Sequence, residues 1–231
     1  TQSRSSAASD VYKRQGLVGV AVLIFVFGEA PGNAPVDAVF IVITVITAAS
    51  TMQAAGGIDW MVSVAAKVIR RKPKSVVFLA PAMSFLFTVG AGTGNIFYPL
   101  LPVIYDVSYQ QKIRPERALS VSAVASQVGI LCSPVSAATA SMVVLLAPQG
   151  VDLGGLLLIM WPASIAGLFV AALVMMRHGK DLEDDPEFQR RLESHQIKPP
   201  VVDAHDTKLP RTAVLSAALF LIGVGVIVLF G

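Results

Sequence analysis

Long apolar runs alternate with short polar segments along most of the chain. Because an α-helix needs about 20 apolar residues to cross a bilayer, the longer runs are typical of membrane-spanning helices. The sequence therefore predicts an all-α integral membrane protein. Apolar helices are predicted over residues 16–27, 36–55, 76–89, 96–105, 116–131, 137–146, 153–176 and 212–230.

Residues 58–72 follow a different pattern, in which the apolar positions lie on one face of a helix. Basic residues lie near the end of this segment, and Pro73 terminates it. Such a stripe is typical of an amphipathic helix that lies along a membrane surface, here predicted on the cytoplasmic side. The stripe consists of Ile58, Met61, Val62, Ala65, Val68 and Ile69.

Two groups of basic residues flank the apolar segment 75–106. Short membrane loops rich in Lys and Arg stay on the cytoplasmic side. The segment between the two groups must then enter and leave the membrane by the same face. This predicts a re-entrant hairpin over residues 75–106, with a polar connection over residues 106–115. The first basic cluster is Lys67, Arg70, Arg71, Lys72 and Lys74, and the second is Lys112, Arg114 and Arg117.

The hairpin has a glycine-rich tip, and the next predicted helix is broken as well. The tip is at residues 90–95, and the break is at residues 132–136 of a discontinuous membrane helix predicted over 116–147. Pro134 removes a backbone hydrogen bond and disfavours helix at the residue before it. Irregular backbone at membrane depth is tolerated only where protein or water satisfies its amides. In secondary transporters such breaks bind the substrate.

Both breaks leave backbone N–H groups free at helix starts, where the partial positive charge attracts anions. Lys and Arg are absent from the interior of every predicted span, so amides, hydroxyls and helix dipoles are expected to hold the anion. A packing kink would explain either break alone, whereas the two together favour a solute site. The predicted substrate-binding residues are Gly92, Thr93, Gly94, Asn95, Ser133, Pro134, Val135 and Ser136.

The composition agrees with a membrane protein. Apolar residues make up 54% of the chain and charged residues 14%, whereas a typical soluble domain has about 25% charged residues. The net charge of +3 is small and its cations lie in loops, so no nucleic-acid partner is predicted. The single cysteine, Cys132, excludes an internal disulfide and a multi-cysteine metal site. No cofactor and no metal site are predicted.

The predicted organisation has four parts. Residues 1–15 are polar and Ser-rich and resemble translated adapter sequence, which leads to the hypothesis of a non-native leader. Residues 16–177 form a transmembrane transport repeat. Residues 178–211 are rich in charge and predict a cytoplasmic linker, partly helical or disordered. Residues 212–231 begin a further membrane helix, and because the chain stops there we expect a fragment of a longer protein.

Seven short motifs occur in a set order: Pro35-Val36-Asp37, Leu79-Ala80-Pro81, Gly92-Thr93-Gly94, Leu101-Pro102-Val103-Ile104-Tyr105-Asp106-Val107, Ile113-Arg114-Pro115-Glu116-Arg117, Ser133-Pro134-Val135-Ser136 and Gly179-Lys180-Asp181-Leu182. Most are weak singly, but together they are specific. The set resembles the Dcu family of anaerobic C4-dicarboxylate transporters, and the resemblance runs from residue 16 to the end.

The resemblance implies exchange of fumarate, malate or aspartate for succinate across the bacterial inner membrane. It also implies two inverted repeats, each with one hairpin and one broken helix, of which this chain matches one. The C-terminal half would then be needed for a complete site. The implied partners are a C4-dicarboxylate and the lipid bilayer, and a homo-oligomer is left undecided. The implied substrate-facing residues are Thr93, Gly94, Asn95, Ser133 and Ser136.

One departure from the family pattern concerns Asn95, because family members often have histidine after Gly-Thr-Gly. A neutral amide does not titrate as an imidazole does, which puts a proton-linked role at this position in doubt. Ala118 also stands where a proline is often found after the Arg-Pro-Glu-Arg run.

Other functions stay open at this point. A transporter of the same architecture could carry another organic anion, of the gluconate or citrate type. A cation–proton antiporter would need an acidic residue at membrane depth, and a membrane-embedded protease would need a Ser–His or Asp–Asp pair there. The interior of the predicted spans contains neither. A non-transporting fragment or scaffold is the remaining class.

Overall fold

The computed structural model describes residues 2–28, 36–194 and 211–230. Within these ranges the chain consists of helices and the turns between them, without a strand, which confirms the all-α prediction. The chain forms two compact units, Thr1–Val36 and Asp37–Gly231.

In the first unit, residues 2–28 are described up to the start of α2, and they form one helix, α1 (Gln2–Phe25). This helix includes both the Ser-rich residues and the apolar run that the sequence separates at residue 16, and it is not interrupted there. Large apolar side chains in its second half are exposed, among them Leu17, Leu23 and Phe25. Exposed side chains of this kind are expected of a helix that contacts lipid.

The second unit contains the remaining helices. Among its described residues, three of the connecting turns are 3₁₀-helical: Pro73–Ser75, Gly94–Ile96 and Ala147–Gln149. The α-helices are α2 (Val36–Ala54), α3 (Gly57–Arg71), α4 (Val76–Ala91), α5 (Phe97–Gln110), α6 (Pro115–Leu131), α7 (Ala137–Leu146), α8 (Leu153–Met176), α9 (Pro186–Glu193) and α10 (Arg211–Phe230).

Two helical segments within the described ranges are long and apolar enough to cross a membrane, Pro73–Ala91 and Leu153–Met176. They differ in their surroundings. About half of the first is buried in the protein, whereas α8 is exposed along most of its length. The apolar exposed surface of α8 is expected of a helix that faces lipid, and the packing of α4 is expected of a helix held between neighbours.

The apolar stripe predicted on residues 58–72 is buried against protein. Met61, Ala65 and Ile69 on α3 are fully buried in the largest core cluster. This core also includes Leu100 and Ile104 of α5, together with residues of α4. The helix and its apolar face are therefore as predicted, but this face packs against other helices rather than lying on a membrane surface.

The second arm of the predicted hairpin is longer than the sequence pattern indicates. Residues 106–115 were expected to form a polar connection, yet α5 continues to Gln110. Asp106, Val107 and Ser108 are buried, and the Gln110 Nε2 donates a hydrogen bond of 2.9 Å to Asp106 Oδ1, one turn earlier. Because Gln110 and Arg70 partner the buried Asp106 carboxylate, α5 continues past it and the connection shortens to residues 111–114.

The contacts between helices fix the directions of α4, α6 and α8. Phe78 and Phe85 on α4 contact Phe169 and Trp161 on α8, with ring centroids 5.9 and 6.5 Å apart. Since residue numbers rise along α4 as they fall along α8, the two helices are antiparallel. Arg117, near the start of α6, contacts the segment that follows α8. The starts of α4 and α6 and the end of α8 therefore lie at one end of the unit.

Both ends of the segment 75–106 also lie at this end. Arg70, just before the segment, has its Nη2 atom 3.8 Å from Asp106 Oδ2. The chain therefore passes along α4, turns at the glycine-rich tip and returns along α5 to its starting point. This end, which carries residues 67–74 and 112–117, is the basic end of the unit.

Candidate functional site

The two predicted breaks are in direct contact. Ser133 in the second break donates a hydrogen bond of 2.7 Å from its hydroxyl to the carbonyl oxygen of Val89, near the end of α4. Gly92 has a φ of +68°, and a Cβ on it would lie 2.8 Å from the carbonyl oxygen of Val135. Only glycine fits this left-handed position without displacing the opposite backbone. The structure therefore brings the tip of the hairpin against the broken helix.

A short turn at the tip connects α4 to α5. Thr93 is the N-cap of the turn Gly94–Ile96. Its side chain accepts a hydrogen bond of 3.3 Å from the backbone N–H of Asn95. Gly92, Thr93 and Gly94 are half-buried, and Asn95 is exposed. Of the residues predicted at the tip, the Asn95 amide is therefore the side chain most accessible to a solute.

Hydroxyl groups at the contact between α4 and α6 form hydrogen bonds that hold the tip. Ser126 on α6 donates a hydrogen bond of 3.3 Å to the carbonyl oxygen of Gly94, and Thr88 on α4 donates one of 3.3 Å to Ser126. Gly129 allows the helices to approach, because a Cβ there would lie 2.9 Å from that of Thr88. Sequence reasoning did not select Thr88 or Ser126. Their signal is the run of small residues on α6, which predicts close helix packing.

The second break is buried and bonded within the protein. Residues 132–136 are all buried. Ser136 is the N-cap of α7, where its hydroxyl accepts a hydrogen bond of 3.1 Å from the Thr139 N–H. The Thr139 hydroxyl in turn donates a hydrogen bond of 2.9 Å to the carbonyl oxygen of Leu131, the last residue of α6. These bonds satisfy backbone groups that the break would otherwise leave free.

The predicted site residues thus fall into two sets. Thr93 and Asn95 lie at the accessible tip, whereas the hydroxyls of Ser133 and Ser136 already bond to the protein. Pro134 and Val135 are buried between them. The start of α7 is open, since Ala137 and Ala138 are exposed. Residue type alone predicted four hydroxyl or amide contacts, and the structure distinguishes those that face outward from those that hold the backbone.

No charged residue is close to either break along the sequence. Residues 84–104 and 118–146 contain no Asp, Glu, Lys or Arg. An anion held here would contact backbone N–H groups, the Asn95 amide and the helix start of α7, unless another part of the protein supplies a cation. Such a neutral set binds an anion less tightly than buried arginines would.

The basic end holds a second arrangement, which the sequence did not reveal. Three groups of the Arg117 guanidinium donate hydrogen bonds to the segment after α8, at 2.7 Å to the His178 carbonyl, 2.8 Å to the Gly179 carbonyl and 2.7 Å to Asp181. The backbone N–H of Leu182 donates a hydrogen bond of 3.0 Å to the Lys112 carbonyl. The start of the predicted linker is therefore docked on the connection between α5 and α6.

Further ion pairs continue this contact. Lys112 pairs with Glu183, and Arg114 Nη1 lies 3.3 Å from Asp185 Oδ2. On α9, the guanidinium groups of Arg191 and Arg190 hold the pKa of Glu187 below its ordinary value. A cleft of about 560 Å³ lies between α9 and the helices α5 and α6. The cleft is lined by aromatic and mixed charged side chains, among them Tyr105, Tyr109, Arg114, Glu116, Phe188 and Arg191.

Comparison with known proteins gives a consistent result. The family model DcuA_DcuB, described as anaerobic C4-dicarboxylate membrane transporter, matches residues 13–231. The anaerobic C4-dicarboxylate transporter DcuB of Escherichia coli O6:H1 is 36% identical over 225 residues, which cover 94% of this chain and 50% of DcuB.

Two further relatives have similar coverage. The C4-dicarboxylate transporter DcuA of Helicobacter pylori J99 is 39% identical over 215 residues, covering 93% of this chain and 48% of its own length. DcuA of Wolinella succinogenes is 37% identical, with 93% and 49% covered. The chain therefore spans about half the length of the curated relatives it matches. No solved structure matches the chain.

Proposed function

The chain belongs to the DcuA/DcuB family of anaerobic C4-dicarboxylate membrane transporters, and from this premise we propose that the protein exchanges C4-dicarboxylates across the bacterial inner membrane. Fumarate, malate, aspartate and succinate are the proposed substrates. The observation that carries the proposal is the contact between the hairpin tip and the broken helix, in a region without charged side chains.

We propose that the two breaks form one half of the substrate site. Asn95 and Thr93 donate hydrogen bonds to one carboxylate, and the open start of α7 at Ala137 faces the anion with its helix dipole. Ser133 and Ser136 position these groups by holding the backbone of both breaks, as their buried hydroxyls support. Residues outside this chain complete the site.

The segment 75–106 is proposed to enter the membrane as a re-entrant hairpin. The proximity of Arg70 and Asp106 supports this, because both ends of the segment then lie on the same side. The docking of residues 178–185 on the second basic cluster supports a shared cytoplasmic face for both loops. At membrane depth, side chains of α6 would supply hydrogen bonds to the polar backbone groups of the irregular tip. The hydrogen bond from Ser126 to the Gly94 carbonyl supports this.

Counterflow in proteoliposomes tests the function. The protein encoded by the longest open reading frame that contains this chain is purified. It is then reconstituted into vesicles loaded with unlabelled succinate. Entry of labelled fumarate is then followed, with aspartate, citrate and gluconate as competitors. We expect rapid entry that depends on internal succinate and is blocked by aspartate, but not by citrate or gluconate.

Two results would contradict the proposal. Fumarate entry that is independent of internal succinate would replace exchange by uniport or ion-coupled uptake. Absence of fumarate entry in vesicles that hold folded protein, together with counterflow of citrate or gluconate, would assign the same architecture to another organic anion.

A further inference from the structure

The first basic cluster carries more positive charge than its surroundings neutralise. Residues 67–74 contain five cations, and the sequence has no carboxylate between Asp59 and Asp106. Arg70 lies 3.8 Å from Asp106. Lys67 and the three other cations of the cluster are exposed. Within the part of the chain that the structure describes, none of these four lies within ion-pair distance of a carboxylate.

The second basic cluster is neutralised by the protein itself. Lys112 pairs with Glu183, Arg114 pairs with Asp185, and Arg117 pairs with Asp181. Both clusters lie at the basic end, so the difference between them does not arise from opposite faces of the unit. The first cluster presents its charge outward, whereas the cations of the second are paired with carboxylates of the docked linker.

Apolar surface lies directly beside the first cluster. Pro73–Ser75 leads into α4, and Phe78, in the first turn of α4, contacts Phe169 of α8 with ring centroids 5.9 Å apart. Phe169 is 57% exposed. Along α8 from that point toward the basic end, large apolar side chains remain exposed, including Leu173 and Val174. A group of exposed cations thus borders an exposed apolar helix surface.

We propose that the first basic cluster binds the headgroup of an anionic phospholipid, whose acyl chains lie along the exposed face of α8 near Phe169. Clusters of Lys and Arg next to a membrane helix attract anionic headgroups, and each cation contributes a factor of about five in affinity. Lys72 and Lys74 lie just before the start of α4 and are the principal contacts. The proposal rests on membership of a membrane-transporter family and is independent of the transported substrate.

Lipid titration of purified protein tests the proposal. The detergent-solubilised full-length protein is titrated with fluorescent phosphatidylglycerol and, separately, with fluorescent phosphatidylcholine. The double variant Lys72→Gln/Lys74→Gln removes two exposed cations. We expect its affinity for phosphatidylglycerol to fall by about 25-fold, since two contacts of about fivefold each are lost. Phosphatidylcholine binding should not change.

The matched control is Lys112→Gln/Lys180→Gln, which removes the same net charge at exposed positions of the docked linker and its contact. We expect less than about a threefold change in phosphatidylglycerol affinity for the control, because Lys112 pairs with Glu183 and Lys180 directly precedes four carboxylates within residues 181–185. Equal weakening in both double variants would mean that net charge alone attracts the lipid, and would overturn the proposal. Unchanged affinity in Lys72→Gln/Lys74→Gln would also overturn it.

Two further measurements distinguish loss of lipid binding from loss of folding, and lipid binding from binding of a free anion. Gel-filtration profile and unfolding temperature of both variants should match the parent protein, because all four side chains are exposed. Displacement of the bound phosphatidylglycerol by inorganic phosphate at equal concentration would indicate a site for the free anion, and would overturn the lipid assignment. Failure of phosphate to displace it supports a site that also uses the acyl chains.

Discussion

Arg117 Nη1 lies 2.7 Å from Asp181 Oδ1, although 64 positions separate the two residues along the chain. The same guanidinium donates to two backbone carbonyls, of His178 and Gly179. The Arg117 side chain is 9% exposed, whereas that of Asp181 is 53% exposed. The buried arginine therefore joins the start of α6 to the end of α8 mainly through backbone carbonyls.

Replacement of Arg117 by methionine should destabilise this contact. The variant leaves two carbonyls and a carboxylate without their donor, and a hydrogen bond to a charged group makes a net contribution of about 1.5–3 kcal/mol. Because Asp181 and the carbonyls regain water, we expect a net loss of about 2–3 kcal/mol in the free energy of unfolding. Denaturant titration in detergent measures the loss, and limited proteolysis should show faster cleavage between residues 178 and 193.

Asp181→Asn provides the comparison for this prediction. Its carboxylate is half-exposed, so loss of the ion pair should cost less than about 1 kcal/mol. An equal loss in Arg117→Met and Asp181→Asn would show that the ion pair, rather than the carbonyl contacts, holds the linker.

Several helix boundaries could be predicted from local sequence signals. The bounds of α7 and α8 agree with the predicted residues 137–146 and 153–176. The polar residues Ser136 and Asp152 precede them, and each side chain accepts a hydrogen bond from the first turn of its helix. Capping residues of this type predict helix starts because their bonds are formed within four residues.

The docked linker could not be predicted in the same way. Its contacts join residues that are more than 60 positions apart, and Arg117 bonds to carbonyls that every residue possesses. The partner of the Ser133 hydroxyl is likewise a backbone carbonyl, that of Val89. Residue type therefore indicated that Ser133 can form a hydrogen bond, but not whether protein or substrate receives it. Asp106 was placed in a loop because its partners, on α3 and one turn along α5, are not visible in a local pattern.

A methyl group at Gly129 should separate α4 from α6. The added Cβ would lie 2.9 Å from the Cβ of Thr88 and 3.1 Å from the Phe85 carbonyl oxygen. Overpacking of this kind costs about 1–3 kcal/mol, so Gly129→Ala should lower the free energy of unfolding by that amount. Gly167→Ala in the middle of α8 is the matched control, since nothing lies within 4 Å of its Cβ position.

The control should change stability by less than about 1 kcal/mol, because only the intrinsic helix preference of alanine differs. Thermal unfolding of both variants in the same detergent measures the difference. A neutral Gly129→Ala would mean that α4 and α6 separate easily, and that the tip is not held as closely as the contact of Thr88 with Ser126 indicates.

Cysteine labelling should place both ends of the segment 75–106 on one side of the membrane. In a Cys132→Ala background, cysteines at exposed Lys72 and Lys112 should react with an impermeant maleimide only from the cytoplasmic face. A cysteine at exposed Gln149 reports the opposite face, because it lies in the turn between α7 and α8. Reaction of positions 72 and 112 from opposite faces would replace the hairpin by a complete crossing.

Asn95 and Ser133 should affect transport through different mechanisms. The Asn95 amide is exposed at the tip, so Asn95→Ala should raise the KM for fumarate about tenfold or more through loss of a hydrogen bond to a carboxylate, without changing the unfolding temperature. Ser133→Ala removes the donor to the buried Val89 carbonyl, and an unsatisfied buried group costs about 1–3 kcal/mol. This variant should therefore lower the unfolding temperature and raise KM together.

Ser120→Ala is the control for both variants, because its exposed hydroxyl bonds only to backbone carbonyls of its own helix, α6. Its KM and unfolding temperature should equal those of the parent protein. Counterflow kinetics and thermal unfolding on the same preparations separate the two mechanisms. If Asn95→Ala keeps the parent KM while Ser133→Ala raises it without loss of stability, the substrate contact lies at the broken helix rather than at the tip, and the roles assigned to the two breaks must be exchanged.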